Sequence, residues 1–263
     1  MLETTWILVK LMIGILALTG IIVGVLHGII SFSDRRTRRS ELLNSELIFP
    51  HYHKPNPVFY GEEAEEFYGV ELEYRLRIGR CRSNWIRQLT KFDRIYLKED
   101  GSVDLEVVSH PMTILEHCKY DWSTILSTIG KRMKVDSGCG LHIHCDPQSS
   151  KVKVGIGLIV YNNQRYLEQF GRRKWTRYCK SKPLKDIDPN TGMGILNATD
   201  RYEAVNFTGR TVEFRFFMST LYASQLEECI RLCERIINAA KGMSLEECAA
   251  YRLDEPELLD YVL

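Results

Sequence analysis

Glu71 and Glu73 stand two residues apart in Gly69-Val-Glu-Leu-Glu-Tyr-Arg-Leu-Arg77, and His142 and His144 do the same in Leu141-His-Ile-His-Cys-Asp146. Glu213 and Arg215 repeat the spacing in Thr211-Val-Glu-Phe-Arg-Phe216, and Glu106 lies in a fourth alternating stretch, residues 102–110. Carboxylates held this close repel one another unless a cation or a proton intervenes. A divalent Mg²⁺ or Mn²⁺ meets that need, because hard cations take carboxylate oxygens and commonly share them with phosphates. Either histidine could ligate a metal or hydrogen-bond a phosphate, and Arg215 offers a planar fork suited to phosphate.

The elements that must position these groups are β-strands. Strict alternation puts successive side chains on opposite faces. Val70, Leu72 and Tyr74, then Val103, Leu105 and Val107, then Leu141 and Ile143, then Val212, Phe214 and Phe216 form the apolar set. If the four strands share one sheet, Glu71, Glu73, Glu106, His142, His144, Glu213 and Arg215 gather on its other face. A solvated antiparallel face explains the alternation of any one strand equally well. It does not explain why metal-ligand types recur in all four. A structural zinc site from Cys139, His142, His144 and Cys145 has suitable residue types, but Cys145 points away from the histidines on a strand.

The chain has 263 residues and a formal net charge of +1, so no global field recruits nucleic acid. The basic run from Arg165 to Lys185, which includes Arg172, Arg173 and Arg177, reads as a solvated helix face or as a hold on an anionic substrate. No dedicated nucleic-acid binding is expected. Eight scattered cysteines without a CxxC pair suggest reduced thiols rather than a disulfide framework.

Leu11 to Ile30 is almost wholly apolar, with Arg35, Arg36, Arg38 and Arg39 just after it. That length predicts a single transmembrane helix, and the arginines predict that the following domain is cytoplasmic. A cleaved signal would carry its basic residues before the apolar core, and a buried core helix is the other alternative. The expected organisation is an anchor over 1–32, a proline-punctuated tether over 33–68 and a catalytic domain over 69–263. Within that domain a hairpin is expected over 95–108, turning at Glu99-Asp-Gly-Ser102. Helices are expected after Pro111, over 152–180 and over 224–241, and a capping box at Ser244-Leu-Glu-Glu247 opens a last one. The long loop over 183–200 is a candidate lid, and Arg201 and Asn206 lie close enough to the Glu213 strand to reach the same site.

The ordered set Gly69-Val-Glu-Leu-Glu73, Lys98-Glu-Asp-Gly-Ser102, Glu106-Val-Val-Ser-His-Pro111, Cys139-Gly-Leu-His-Ile-His144, Arg173, Arg177-Tyr-Cys179, Arg201 to Asn206 and Thr211-Val-Glu-Phe-Arg215 resembles the amidoligase family. These are carboxylate–amine ligases related to glutamine synthetase and glutamate–cysteine ligase. The resemblance spans residues 69–222. It implies an α+β domain with a curved, mainly antiparallel sheet of the glutamine-synthetase-like type, with helices on one face and ATP and Mg²⁺ or Mn²⁺ bound on the concave face. It further implies metal ligation by Glu71, Glu73, Glu106 and Glu213, and contact of His142 or His144 with metal or nucleotide. Arg173, Arg201 and Arg215 would steady phosphates, with Arg172 adjacent to Arg173 as an alternative, and Asn206 would help bind the cofactor. The expected reaction is ATP-dependent amide or isopeptide formation through an acyl phosphate. The partners would be a carboxylate substrate and an amine acceptor, such as a peptide, a protein or a cell-wall precursor, at the membrane surface. A nucleotide- or anion-binding protein without turnover and a metal-dependent hydrolase are the other classes the residues allow.

Overall fold

The computed structural model describes residues 17–26, 47–50, 53–62, 66–77, 85–197 and 200–253, and the chain divides into two units. In the first unit, residues 17–26 form helix α1, exposed throughout. Among the described residues no helix is long and apolar enough to cross a membrane. The expected transmembrane helix, and the single-pass, cytoplasm-facing location derived from it, are corrected accordingly. The remainder of the apolar run lies outside the described residues.

The second unit is a mixed α+β structure around an eight-stranded sheet. Its first strand, β1 (Ile48–Phe49), falls inside the stretch expected to be a tether, and Ile48 is buried. The central strand β2 (Tyr68–Leu76) follows, then α2 (Ile86–Leu89), β3 (Ile95–Lys98) and β4 (Leu105–Ser109). The connection between β3 and β4 is longer than the expected turn over 99–102: Lys98 pairs with Glu106, and within the connection the Asp100 carboxylate accepts from the Ser102 backbone N–H at 2.6 Å. Helices α3 (Ile114–Lys119) and α4 (Trp122–Gly130) replace the one helix expected after Pro111. The break has a local cause: Asp121 accepts from Thr124 N and so starts a new helix, while Tyr120 is extended.

Strands β5 (Met133–Lys134) and β6 (Gly140–Cys145) precede α5 (Ser150–Asn162) and α6 (Gln164–Phe170). The helix expected to reach Lys180 therefore stops ten residues early. A Cβ on Gly171 would meet the Phe216 carbonyl at 2.3 Å, so the chain here lies directly against the sheet backbone, and Arg172 turns it with φ 51°. Strands β7 (Val205–Phe207) and β8 (Val212–Met218) complete the sheet, and α7 (Ala223–Gly242) and α8 (Leu245–Ala250) close the unit. The capping box at Ser244 and Glu247 forms as expected.

The strand order is β1-β3-β4-β2-β6-β8-β7, with β5 paired to β2. All pairings are antiparallel except β1 with β3. Val70, Leu72, Tyr74, Leu105, Val107, Leu141, Ile143 and Phe214 are fully buried, as the alternation requires. Helix α7 buries Leu226, Cys229, Ile230, Cys233, Ile236 and Ile237, the stripe its 3.6-residue period presents.

Candidate functional site

Strand register brings the alternating polar residues together in rows that run across the sheet. In one row Gly69 of β2 stands opposite His144 of β6, His144 opposite Glu213 of β8, and Glu213 opposite Asn206 of β7. The next row sets Glu71 opposite His142. A third runs from Lys98 of β3 through Glu106 of β4 to Glu73 of β2. Asn206–Glu213 and Lys98–Glu106 meet across short connections, but the other pairs are far apart in sequence, and only the pairing order of the strands makes them neighbours.

The donors converge around the two imidazoles. His142 Nδ1 lies 3.6 Å from Glu71 and 3.7 Å from Glu213, and its Nε2 lies 3.8 Å from Glu73. His144 Nε2 lies 3.6 Å from Glu71 and 3.9 Å from Glu213. One donor atom from each of Glu71, His144 and Glu213 falls within 4.8 Å of the others, a group able to hold a metal ion. His142 Nε2 and His144 Nε2 are buried without a hydrogen-bond partner, and so is Arg215 Nε. Burial without a partner is costly, so these atoms fit a bound cation or anion.

Other groups orient the carboxylates. Asn206 Nδ2 donates to Glu213 at 2.8 Å, and Arg215 pairs with the other Glu213 oxygen. The backbone N–H of Gly140 donates to Glu73 at 2.5 Å. Lys98 pairs with the buried Glu106. Burial resists ionisation of Glu71, but His144 and His142 outweigh it and hold the carboxyl well below its ordinary range. Glu213 is likewise lowered by His144, His142 and Arg215 against the pull of burial. His144 is raised, since Glu71 and Glu213 overcome its desolvation. Burial and then Glu71 push Glu106 up to about 8, against the opposing pull of Lys98.

A bulge in β8 sets the position of Arg215. Leu141 pairs with Phe217 but Ile143 pairs with Phe214, so Arg215 and Phe216 together face His142. Arg173 holds this bulge: it is buried, and its Nη1 donates to the carbonyls of Arg215 at 2.8 Å and Phe217 at 3.2 Å. The neighbouring Arg172 is exposed. Over Gly140, an added Cβ would meet Arg173 Nη1 at 2.4 Å and His142 Nε2 at 2.8 Å, so glycine is what lets both side chains lie on the strand. Arg201 is exposed and stacks on Tyr202, with its guanidinium 4.9 Å from the ring centroid, while Arg215 lies 5.9 Å from the same ring.

The structure thus brings Glu71, Glu73, Glu106, His142, His144, Asn206, Glu213 and Arg215 to one face. Arg173 sits under the bulge, and Arg201 reaches the site's edge through Tyr202. Cys139 and Cys145 are buried apart from the histidines, with their thiols directed to Asp136 and the Asp146 carbonyl. Among the described residues neither cysteine joins a metal-ligand group. The loop over 183–197 is seated on α5: Ile187 and Ile195 are buried, and Gly157 lies against Ile195. Lys98, Gly140 and Tyr202 lie within the ordered motifs, but their residue types and spacing assign them no role at the site. Lys98 could have been found only by knowing how the irregular turn shifts β3 against β4.

Comparison with family models, with curated proteins and with solved structures finds no match to this chain.

Proposed function

We propose that this protein is a divalent-metal- and ATP-dependent carboxylate–amine ligase. The observation that carries the reading is the convergence of Glu71, His144 and Glu213 at metal-binding separation, with Arg215 bound to Glu213 and its Nε unpartnered beside them. The ordered motifs shared with the amidoligase family add the reaction class. Mg²⁺ or Mn²⁺, held by Glu71, His144 and Glu213, would neutralise charge on the phosphates.

The chain's own groups define the rest. A substrate carboxylate oxygen displaces ADP from the γ-phosphorus of ATP, and an amine then displaces phosphate from the acyl carbon, losing a proton. Arg215, paired with Glu213, would stabilise the transferring phosphoryl group, and Asn206 keeps Glu213 turned toward the histidines. His142, buried between Glu71, Glu73 and Glu213, fixes the spacing of the carboxylates.

The test is a thermal shift of the full chain with Mg²⁺ and ATP, followed by ADP release against pools of carboxylates and amines. Release that needs both pools supports the ligase. Amine-independent phosphate release would make it a hydrolase, and nucleotide binding without turnover would make it a binding protein. Glu71→Gln and Glu213→Gln variants that bind metal–nucleotide as tightly as the parent would refute the site.

A further inference from the structure

We infer that Lys98 is the resident cation of Glu106, so that the site holds one divalent ion, at Glu71, His144 and Glu213, rather than a second at Glu73 and Glu106. The inference rests on the metal-site reading above and departs from the ligand set that the family resemblance implies.

Glu106 and Glu73 stand directly opposite each other in an antiparallel pair, the arrangement in which like charges repel most. Something positive must lie there if both are to ionise. Lys98 is directly opposite Glu106 on the far strand, and its ammonium makes an ion pair with that carboxylate. The pair is shielded, with side-chain exposures of 16% for Lys98 and 4% for Glu106. Glu73 is held separately, with one oxygen accepting from Gly140 N at 2.5 Å. Among the described residues the group at metal-ligand separation contains neither Glu73 nor Glu106. An ammonium and a divalent ion compete for the same oxygens, and the lysine is covalently present at all times. Its four-carbon stem, anchored on the next strand, gives it a high effective concentration at that position.

The experiment is a titration of the full chain with Mn²⁺ alone, followed by calorimetry and by the loss of the free-ion electron paramagnetic signal. The parent is expected to bind one ion per chain. Lys98→Met keeps the stem and removes the charge, and is expected to raise the stoichiometry to two, while Lys98→Arg keeps it at one. Glu106→Gln in the parent background is expected to leave the single ion in place with less than about a threefold change in affinity. Two ions in the parent, or loss of the single ion in Glu106→Gln, would overturn the role of Lys98 while leaving the metal site standing. A folded Lys98→Met chain that still binds one ion also overturns it. A parent that binds no Mn²⁺ overturns both the inference and the metal reading it rests on. The parent stoichiometry and Glu106→Gln decide the matter even where Lys98→Met does not fold.

Discussion

Replacing Arg173 with Met removes the clamp on the β8 bulge while keeping an unbranched apolar stem. The guanidinium donates to the carbonyls of Arg215 and Phe217, and its residue is only 8% exposed. Hydrogen bonds from a charged donor contribute about 1.5–3 kcal/mol each, so two of them bound the loss at roughly 3–6 kcal/mol. Burial of the cation opposes this, since desolvation lowers the Arg173 pKa even in its native place. A net destabilisation of about 2–4 kcal/mol is expected, to be read from urea unfolding as a fall in midpoint at constant slope. Arg173→Lys should fall between, because both bonds come from Nη1 and the lysine ammonium ends one bond short of that position. The bulge also aims Arg215, so Mn²⁺ affinity should drop in the variant through the Arg215–Glu213 pair. A loss below about 1 kcal/mol, with metal affinity unchanged, would show that the bulge is held by its own strand pairing and that the clamp argument is wrong.

Asn206→Ala removes the group that orients Glu213 and should weaken Mn²⁺ binding by about 10- to 100-fold, measurable by calorimetry. Gly157→Ala drives a methyl into Ile195, with a Cβ only 2.3 Å from Ile195 Cδ1. It should cost about 1–3 kcal/mol and speed proteolytic cleavage within 183–197. The metal-free chain should show a two-sided pH dependence in its melting temperature. His144 is raised, so its contribution is present below its unfolded value of 6.5 and is lost as pH rises through the folded one. Glu71 and Glu213 are lowered, so theirs is present above 4.5 and lost as pH falls through their folded values. Mn²⁺ should reverse the alkaline arm by replacing the proton's charge, and a metal effect that is independent of pH would contradict this linkage.

Much of this protein was legible from its residues because a strand's period of two is a local property. The placement of Val70, Leu72 and Tyr74 on one face and Glu71 and Glu73 on the other needs no tertiary information, and the capping box at Ser244 is equally local. The split between α3 and α4 was readable in principle from Asp121, whose carboxylate competes with helix continuation. Where the chain stops being helical at Gly171 depended on a contact with Phe216, 45 positions away in sequence, which no window contains.

The sequence by itself determined which side chains share a face of each strand, and therefore the inventory of carboxylates, imidazoles and guanidinium available to one site. Only the tertiary structure decided which of them meet. The order β3-β4-β2-β6-β8-β7 puts His144 beside Glu213 and Lys98 beside Glu106, and the β8 bulge sets Arg215 and Phe216 together against His142. Alternation is fixed by backbone geometry within a strand. Pairing order and register depend on how several strands bury their apolar faces together, so the division of the carboxylates between a metal ion and a lysine is a property of the whole sheet.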